Sequence, residues 1–400
     1  MAVAGGTYGS KGFNLRPFKV ELSSGLPRMF DLVKNTELPA HEEYPGVGSS
    51  FGIGLDVLKS LKKEWLTNFD WQKAQASMNR YEQYTVEIEG LTIHFVHEKS
   101  KDPHAIPIIL QHGWPGSFLE MVPIIDPLKS QAKTSTGKPI SFNVVVPSLP
   151  GHAFSSAPPA NWTVEDTARV FNTLMTKVLG YGTYAVHGTD WGSATAYSMY
   201  DQFNQSARAA HLNFLPYFPL LPEALVAQNI SLSPEEEFEE QRLVDWETNG
   251  NAYLVEQTTK PNTIGLAIYD SPLGQLSWIA EKYIAWSDPR QGTGPSLLTH
   301  NEILTEVSLY YLTRSIVSSM YIYAQNPNGF MTTYHKARTD APLLFSSFKY
   351  NVGFWPQQLV ARVGNLVKYT YHSFGGHFPG LDNPPALTAD IREIGNYWEH

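Results

Sequence analysis

The segment Tyr184-Ala185-Val186-His187-Gly188-Thr189-Asp190-Trp191-Gly192-Ser193-Ala194-Thr195-Ala196 leaves this chain few choices of fold. An apolar run reaches Gly188, an acidic residue stands two positions on, and Gly192 follows two positions after that. A strand that turns abruptly into a helix needs small residues on both sides of its apex, because the apex is strained and flanking side chains would collide. The apex side chain, Asp190, is thereby lifted above a sheet at a helix N-terminus, where the dipole and free N–H groups favour its charge. Taken alone, the segment reads equally well as a tight turn with a capping aspartate, so its context decides.

Two further motifs supply that context. Leu110-Gln111-His112-Gly113-Trp114-Pro115-Gly116 ends an earlier apolar run and has the position of an oxyanion loop. There the backbone N–H of Trp114, with that of Trp191 after the apex, would hold a developing negative oxygen. Far downstream, Gly375-Gly376-His377-Phe378-Pro379 follows the last strand-like run. His377 is the one histidine of 13 placed in a glycine-flanked loop there, which marks it as a general base. A carboxylate at the apex attacks an sp³ carbon bearing a leaving group, giving an alkyl-enzyme ester that water then cleaves. Epoxides and alkyl halides are the electrophiles of that chemistry.

The rest of the chain fits around these motifs. Val57, Leu58, Leu61, Trp65 and Phe69 recur at helical spacing and read as a core-facing stripe behind an extended arm. Tyr84–Ile88 and Leu91–Val96, joined by Glu89-Gly90, predict an antiparallel hairpin. The near-continuous apolar runs Ile106–Leu110, Phe142–Val146 and Tyr184–Val186 predict buried parallel strands. Between the last two, Val164–Leu179 predicts a helix, and Ala207–Phe214 closes the first half. From Pro216 to about His335 the chain turns helical and rich in Tyr and Trp, with Glu235-Glu236-Glu237 read as a solvated face; this predicts an inserted helical cap. Strands return at Pro342–Phe348 and Leu366–Tyr371, with a final helix from about Pro385 to Trp398. The boundaries are 1–82 for the arm and its helices, 83–215 and 336–400 for the two parts of an α/β core, and 216–335 for the cap.

Composition narrows the function. A net charge of -9 without a basic run argues against nucleic acid and anionic membranes as partners, and the absence of cysteine removes disulfides, thiolate metal sites and cysteine nucleophiles. No stretch approaches the roughly 18 apolar residues that span a bilayer, and Met1–Leu15 has no apolar leader, so a cytoplasmic, soluble enzyme without a membrane anchor is expected. No metal, nucleotide or flavin motif accompanies the candidate site, so no cofactor is expected.

At this point the chain resembles the microsomal-type epoxide hydrolase family, in its soluble, fungal-type branch. The resemblance rests on Phe69-Asp70-Trp71 with Asn79, Gly90–His97, His112–Phe118, Pro147–Gly151, Gly188–Gly192, Lys260–Gly265 and Gly375–Phe378, and it covers nearly the whole chain. It implies an α/β-hydrolase fold with a mostly parallel sheet, a helical cap inserted after the sixth strand and an N-terminal arm, assembled as a homodimer. It also implies two cap tyrosines that grip the oxygen of a small apolar epoxide: Tyr253 in Ala252–Gln257 and Tyr323 in Tyr321–Ala324, with Tyr321 a neighbour easily mistaken for the second. A phenol with its pKa near 10 suits the task, donating a hydrogen bond and finally a proton to the alkoxide.

One position departs from the family. Where it places an Asp or Glu to orient the histidine, after the strand that follows the cap, this chain has Asn351. An amide carries no charge to stabilise an imidazolium, and it can present its NH₂ and hold the wrong tautomer. Asp340 stands at the wrong end of the strand, and Asn213, at the other place where related enzymes put an acid, is also an amide. Three readings follow: an epoxide hydrolase that tolerates Asn351 or recruits another carboxylate; an enzyme that opens epoxides without hydrolysis, by an internal nucleophile or a migrating group; and a binding protein with a decayed site. The paired tyrosines favour an oxygen leaving group over the halide of a dehalogenase.

Overall fold

The computed structural model describes residues 12–398; Met1–Lys11, the greater part of the stretch in which no leader was read, lie outside it. Eleven strands occur among the described residues: β1 Arg16–Phe18, β2 Gln83–Ile88, β3 Leu91–Glu98, β4 Ile106–Gln111, β5 Ala132–Lys133, β6 Pro139–Ile140, β7 Phe142–Pro147, β8 Tyr184–Gly188, β9 Ala207–Leu212, β10 Pro342–Tyr350 and β11 Asn365–Gly376. Nine of them form one sheet in the order β1-β2-β3-β7-β4-β8-β9-β10-β11, and β5 and β6 form a separate small hairpin. The first three strands are antiparallel, β3 pairs antiparallel with β7, and every pair from β7 to β11 is parallel. Glu89 and Gly90 both take positive φ, 52° and 83°, as the tight turn between β2 and β3 requires.

The parallel strands are buried on both faces, which is why they read as unbroken apolar runs. Ile108, Leu110, Val144, Val146 and Ala185 pack in one cluster, while Ile109, Val145 and Val186 pack in the other. Pairing of Gln111 with Gly188 and of Gly188 with Leu212 aligns the C-terminal ends of β4, β8 and β9. In an open parallel sheet these ends border the ligand crevice.

Between β9, the sixth strand if β1 and the small hairpin are set aside, and β10 lie the helices Pro222–Ala227, Pro234–Asp245, Ala252–Thr259, Pro261–Ile268, Pro272–Trp286, His300–Thr313 and Ile316–Gln325. They form the helical cap over the crevice. Glu235 and Glu237 are exposed, as expected of a solvated face, and Glu236 closes a capping box with Ser233. One turn further on, however, Glu239 and Glu240 are buried. The helix Leu55–Thr67 corrects the expected stripe: Leu58, Leu61 and Trp65 are buried, Val57 is exposed, and Phe69 falls past the helix end. Val57 lies about 100° around the helix from Leu58, at the edge of the face that Leu58, Leu61 and Trp65 share, so spacing alone overstated the buried face. The final helix is likewise broken, into Pro384–Arg392 and Ile394–Tyr397. No helix among the described residues is long and apolar enough to cross a membrane.

Candidate active site

Asp190 stands at the first position of the helix Asp190–Gln202, immediately beyond β8, with φ at 47°. That left-handed conformation costs a non-glycine residue about 1–2 kcal/mol, so surrounding contacts must impose it. The glycines show how. A Cβ on Gly188 would lie 2.3 Å from the Gly192 carbonyl oxygen, and one on Gly192 would lie 2.2 Å from that of Gln111. The turn therefore packs backbone against backbone onto the end of β4. A Cβ on Gly113 would sit 2.1 Å from Asp190 Oδ1, so the carboxylate fills the space that this glycine leaves open.

From the same loop the Trp114 N–H donates to Asp190 Oδ1 at 2.7 Å. Asp190 Oδ2 faces His377 Nε2 at 3.5 Å. One carboxylate oxygen is thus held by the Trp114 N–H and the other is turned toward the imidazole. Trp191 follows Asp190 directly, and its indole ring packs edge-on against Tyr323 with centroids 5.0 Å apart.

His377 is 1% exposed and surrounded by rings: Phe214, Trp286 and Phe378 all pack edge-on to it at centroid distances of 5.0–5.3 Å. Its Nδ1 lies 2.9 Å from Asn351 Oδ1. Asn351 also donates from Nδ2 to the Asn213 carbonyl oxygen at 3.1 Å, and its Oδ1 accepts the Val352 N–H at 2.8 Å. A carbonyl oxygen only accepts and a backbone N–H only donates, so flipping the amide would create two repulsions. The oxygen of Asn351 must therefore face the ring. Nδ1 then carries a hydrogen that this oxygen accepts, and Nε2 is the ring nitrogen that faces Asp190. The expectation that the amide could impose the wrong tautomer is corrected by these two backbone neighbours; what the amide leaves out is charge alone.

The remaining candidates sort by position. Tyr253 and Tyr323 are both buried, with Trp114 stacked on Tyr253 at 5.4 Å and edge-on to Tyr323 at 5.8 Å. Burial first, together with the Asp190 charge, pushes both phenols well above their ordinary pKa, and Tyr253 adds to the rise at Tyr323, which keeps them as O–H donors. Beside Tyr323 lie Tyr253 and Trp191, with ring centroids 6.0 and 5.0 Å from its own. Tyr321 points away, to Asn262 on the surface. Asp340 is exposed at the far end of the sheet, paired with Arg208 at 3.1 Å. Asn213 is buried, with its Nδ2 on Thr189 Oγ1 at 3.2 Å and its backbone oxygen holding Asn351.

Asp190, His377, Tyr253 and Tyr323 line one crevice, closed by Phe214, Phe218, Leu243, Trp246, Phe330 and Trp355. Sequence reading foresaw an aromatic cap but not these individuals. Of these only Trp246 is one of the Tyr and Trp residues that mark the stretch between Pro216 and His335; Phe214 and Trp355 enter from the core on either side of it.

The sheet order, the strained turn after β8 and the cap over the crevice define an α/β-hydrolase. Residues 106–246 match the model of the α/β hydrolase fold, and residues 15–121 match that of the epoxide hydrolase N terminus. The chain is 34% identical to the Aspergillus niger epoxide hydrolase, whose structure superposes with a TM-score of 0.81 over 96% of each chain. It is 31% identical to juvenile hormone epoxide hydrolase 2 of Ctenocephalides felis, over 94% of this chain and 84% of that one. With epoxide hydrolase 1 of Sus scrofa it shares 30% identity over 95% of its own length and 88% of that protein's. The chain belongs to the epoxide hydrolase family.

Proposed function

We propose that this protein hydrolyses a small, largely apolar epoxide through an ester on Asp190. The observation that carries the reading is the pair of contacts on one carboxylate: Trp114 N–H on Oδ1, and His377 Nε2 facing Oδ2. Oδ2 attacks a ring carbon and its C–O bond breaks, while Tyr253 and Tyr323 donate to the departing oxygen and one of them gives it a proton. Oδ1 becomes the ester carbonyl, already in place at the Trp114 N–H, with the Trp191 N–H as the second donor. His377 Nε2 then takes a proton from water, whose oxygen adds at Cγ of Asp190. The Cγ–Oδ2 bond breaks, His377 returns its proton to Oδ2 as the diol leaves, and the proton shed when the new Asp190 carboxyl ionises restores the tyrosine.

The decisive experiment uses aryl and alkyl epoxides in ¹⁸O-labelled water, with the intact protein weighed between turnovers. Diol should form, ¹⁸O should enter Asp190 over repeated turnovers, and Asp190→Ala should make no diol. Diol formation by Asp190→Ala at the wild-type rate, or an unlabelled Asp190, would sink the ester route.

The uncharged Asn351 supports a second reading: epoxide opening that ends without hydrolysis, with the tyrosines activating the ring oxygen and a group within the substrate closing on the ring carbon. Isomeric products in place of diol would favour it. We also propose a homodimer, supported by exposed Val255 and Leu266 on adjoining cap helices; light scattering reading one chain's mass, 44.8 kDa, would refute it.

A further inference from the structure

The loop that presents His377 is gripped by its backbone. Gly375 N–H donates to Asp288 Oδ2 at 3.1 Å, Gly376 N–H to Asp382 Oδ2 at 2.7 Å, and His377 N–H to the Trp286 carbonyl oxygen at 2.8 Å. Two of the three acceptors belong to the cap: Trp286 ends the helix Pro272–Trp286, and Asp288 follows two residues later. The third, Asp382, lies just beyond the histidine on the core side. Its Oδ2 also accepts the Asp288 N–H at 3.2 Å, so one oxygen joins the cap to the loop.

Several features make this junction rigid. Both carboxylates are fully buried. Arg290 clasps Asp288 through Nε on Oδ1 at 3.0 Å and Nη2 on Oδ2 at 2.9 Å, and its own N–H reaches Oδ1 at 2.8 Å. Charge-assisted bonds of this kind are roughly twice as strong as neutral ones. A Cβ on Gly376 would lie 2.5 Å from the Trp286 carbonyl oxygen, so the loop rests directly on the cap backbone. On the other side, the imidazole ring itself is oriented by a single hydrogen bond to a neutral amide. More of its placement therefore falls to the loop than a carboxylate partner would demand.

We propose that Asp288, together with Asp382, is a positioning residue for His377, so that seating the cap and placing the base are one event. Neither carboxylate touches the reacting atoms; they act through the backbone of residues 375–377. This inference rests on the reading of His377 as the base that cleaves the ester.

The two half-reactions separate the roles. Ring opening uses Asp190 and the tyrosines, whereas ester cleavage uses His377. In rapid-quench experiments read by intact mass, Asp288→Ala should form the ester within about threefold of the wild-type rate and cleave it on the order of 10- to 100-fold more slowly, the scale of a misplacement near 1 Å. Asp288→Asn, which keeps an acceptor for Gly375 but loses the pairing with Arg290, should fall between. Arg290→Ala removes a half-exposed side chain and should shift cleavage in the same direction without unfolding the protein. Equal slowing of both steps, or of neither, would overturn the proposal.

A second measurement needs no catalysis. In ¹⁵N-histidine-labelled protein, with His377→Gln used for assignment, the Nδ1 hydrogen bound to Asn351 should exchange with solvent at least about tenfold faster in Asp288→Ala than in wild type. Unchanged exchange would overturn the positioning role. A wild-type protein that forms no ester would count against the hydrolytic reading instead, and leave this exchange result to stand or fall alone.

Discussion

A methyl group at Gly192 would fall 2.2 Å from the Gln111 carbonyl oxygen, and no rotamer can move a Cβ. Gly192→Ala should therefore push the helix Asp190–Gln202 off the end of β4 and pull Asp190 from the Trp114 N–H; diol formation should drop below detection while circular dichroism shows whether the fold survives. At Asn351 the prediction runs the other way. The Val352 N–H already fixes the oxygen that faces His377, so Asn351→Asp adds charge at that point, although its second oxygen then stands against the Asn213 carbonyl oxygen to which the amide donates. Ester cleavage should accelerate; the acid-to-amide change in a serine protease, about 10⁴ in turnover, sets the upper bound. A carboxylate there also stabilises the imidazolium, so the acid limb of the pH–rate profile should move to higher pH. No acceleration would mean that ester cleavage is limited elsewhere. Asp190 and His377 were legible because their neighbours are glycines in fixed positions. The orientation of Asn351 was not, because the two groups that set it are backbone atoms, one of them 138 residues away.

Among the elements, the helix Leu55–Thr67 shows what periodicity can and cannot say. Trp65 is fully buried and donates its indole N–H to Ser308 Oγ at 3.1 Å, on the cap helix His300–Thr313. His300 adds a contact to Glu64 at 2.6 Å. The N-terminal region thus braces the cap rather than the sheet alone. Trp65→Ala should cost about 3–5 kcal/mol, read as a lowered midpoint in urea, whereas exposed Val57→Ser should change stability by less than about 0.5 kcal/mol. Comparable losses at the two positions would mean that Val57 has a contact in solution beyond those seen here. The spacing announced a helix, but which neighbour covers it depends on a cap more than 200 residues downstream.

For the whole molecule, buried ionisable groups set the pH range of stability. Burial holds the Glu306 carboxyl up at about 8, and the Asp382 carboxyl up at about 7. The folded state therefore keeps protons that the unfolded chain releases near pH ~4, and their contribution to stability fades as pH rises from that value toward 8. Burial also holds His94 and His112 down at about 3, so they stay neutral in the fold while the unfolded chain takes up protons below about 6.5. That contribution is lost as pH falls. Stability should peak between these limits. A single proton kept in the fold and released on unfolding steepens the alkaline side by up to about 1.4 kcal/mol per pH step, and Glu306→Gln should remove that slope. Melting temperatures from pH 5 to 9 test this; an unchanged slope in Glu306→Gln would show that the carboxyl finds a partner or water in solution.

By itself the sequence determined the hairpin and the parallel strands of the main sheet, the strained turn, and the glycine-rich loops at Trp114 and His377, because each is written in local chemistry: apolar runs buried on both faces, and glycines where backbone meets backbone; the short strands Arg16–Phe18, Ala132–Lys133 and Pro139–Ile140 it did not announce. It also determined that the position facing the histidine is an amide. Tertiary structure alone decided which atom of that amide meets the ring, which aromatic residues close the crevice, and that the cap holds the histidine loop through Trp286 and Asp288. Those contacts join backbone groups and side chains far apart in the chain, and hydrogen bonds to a backbone leave almost no mark on the identity of the residue that supplies it.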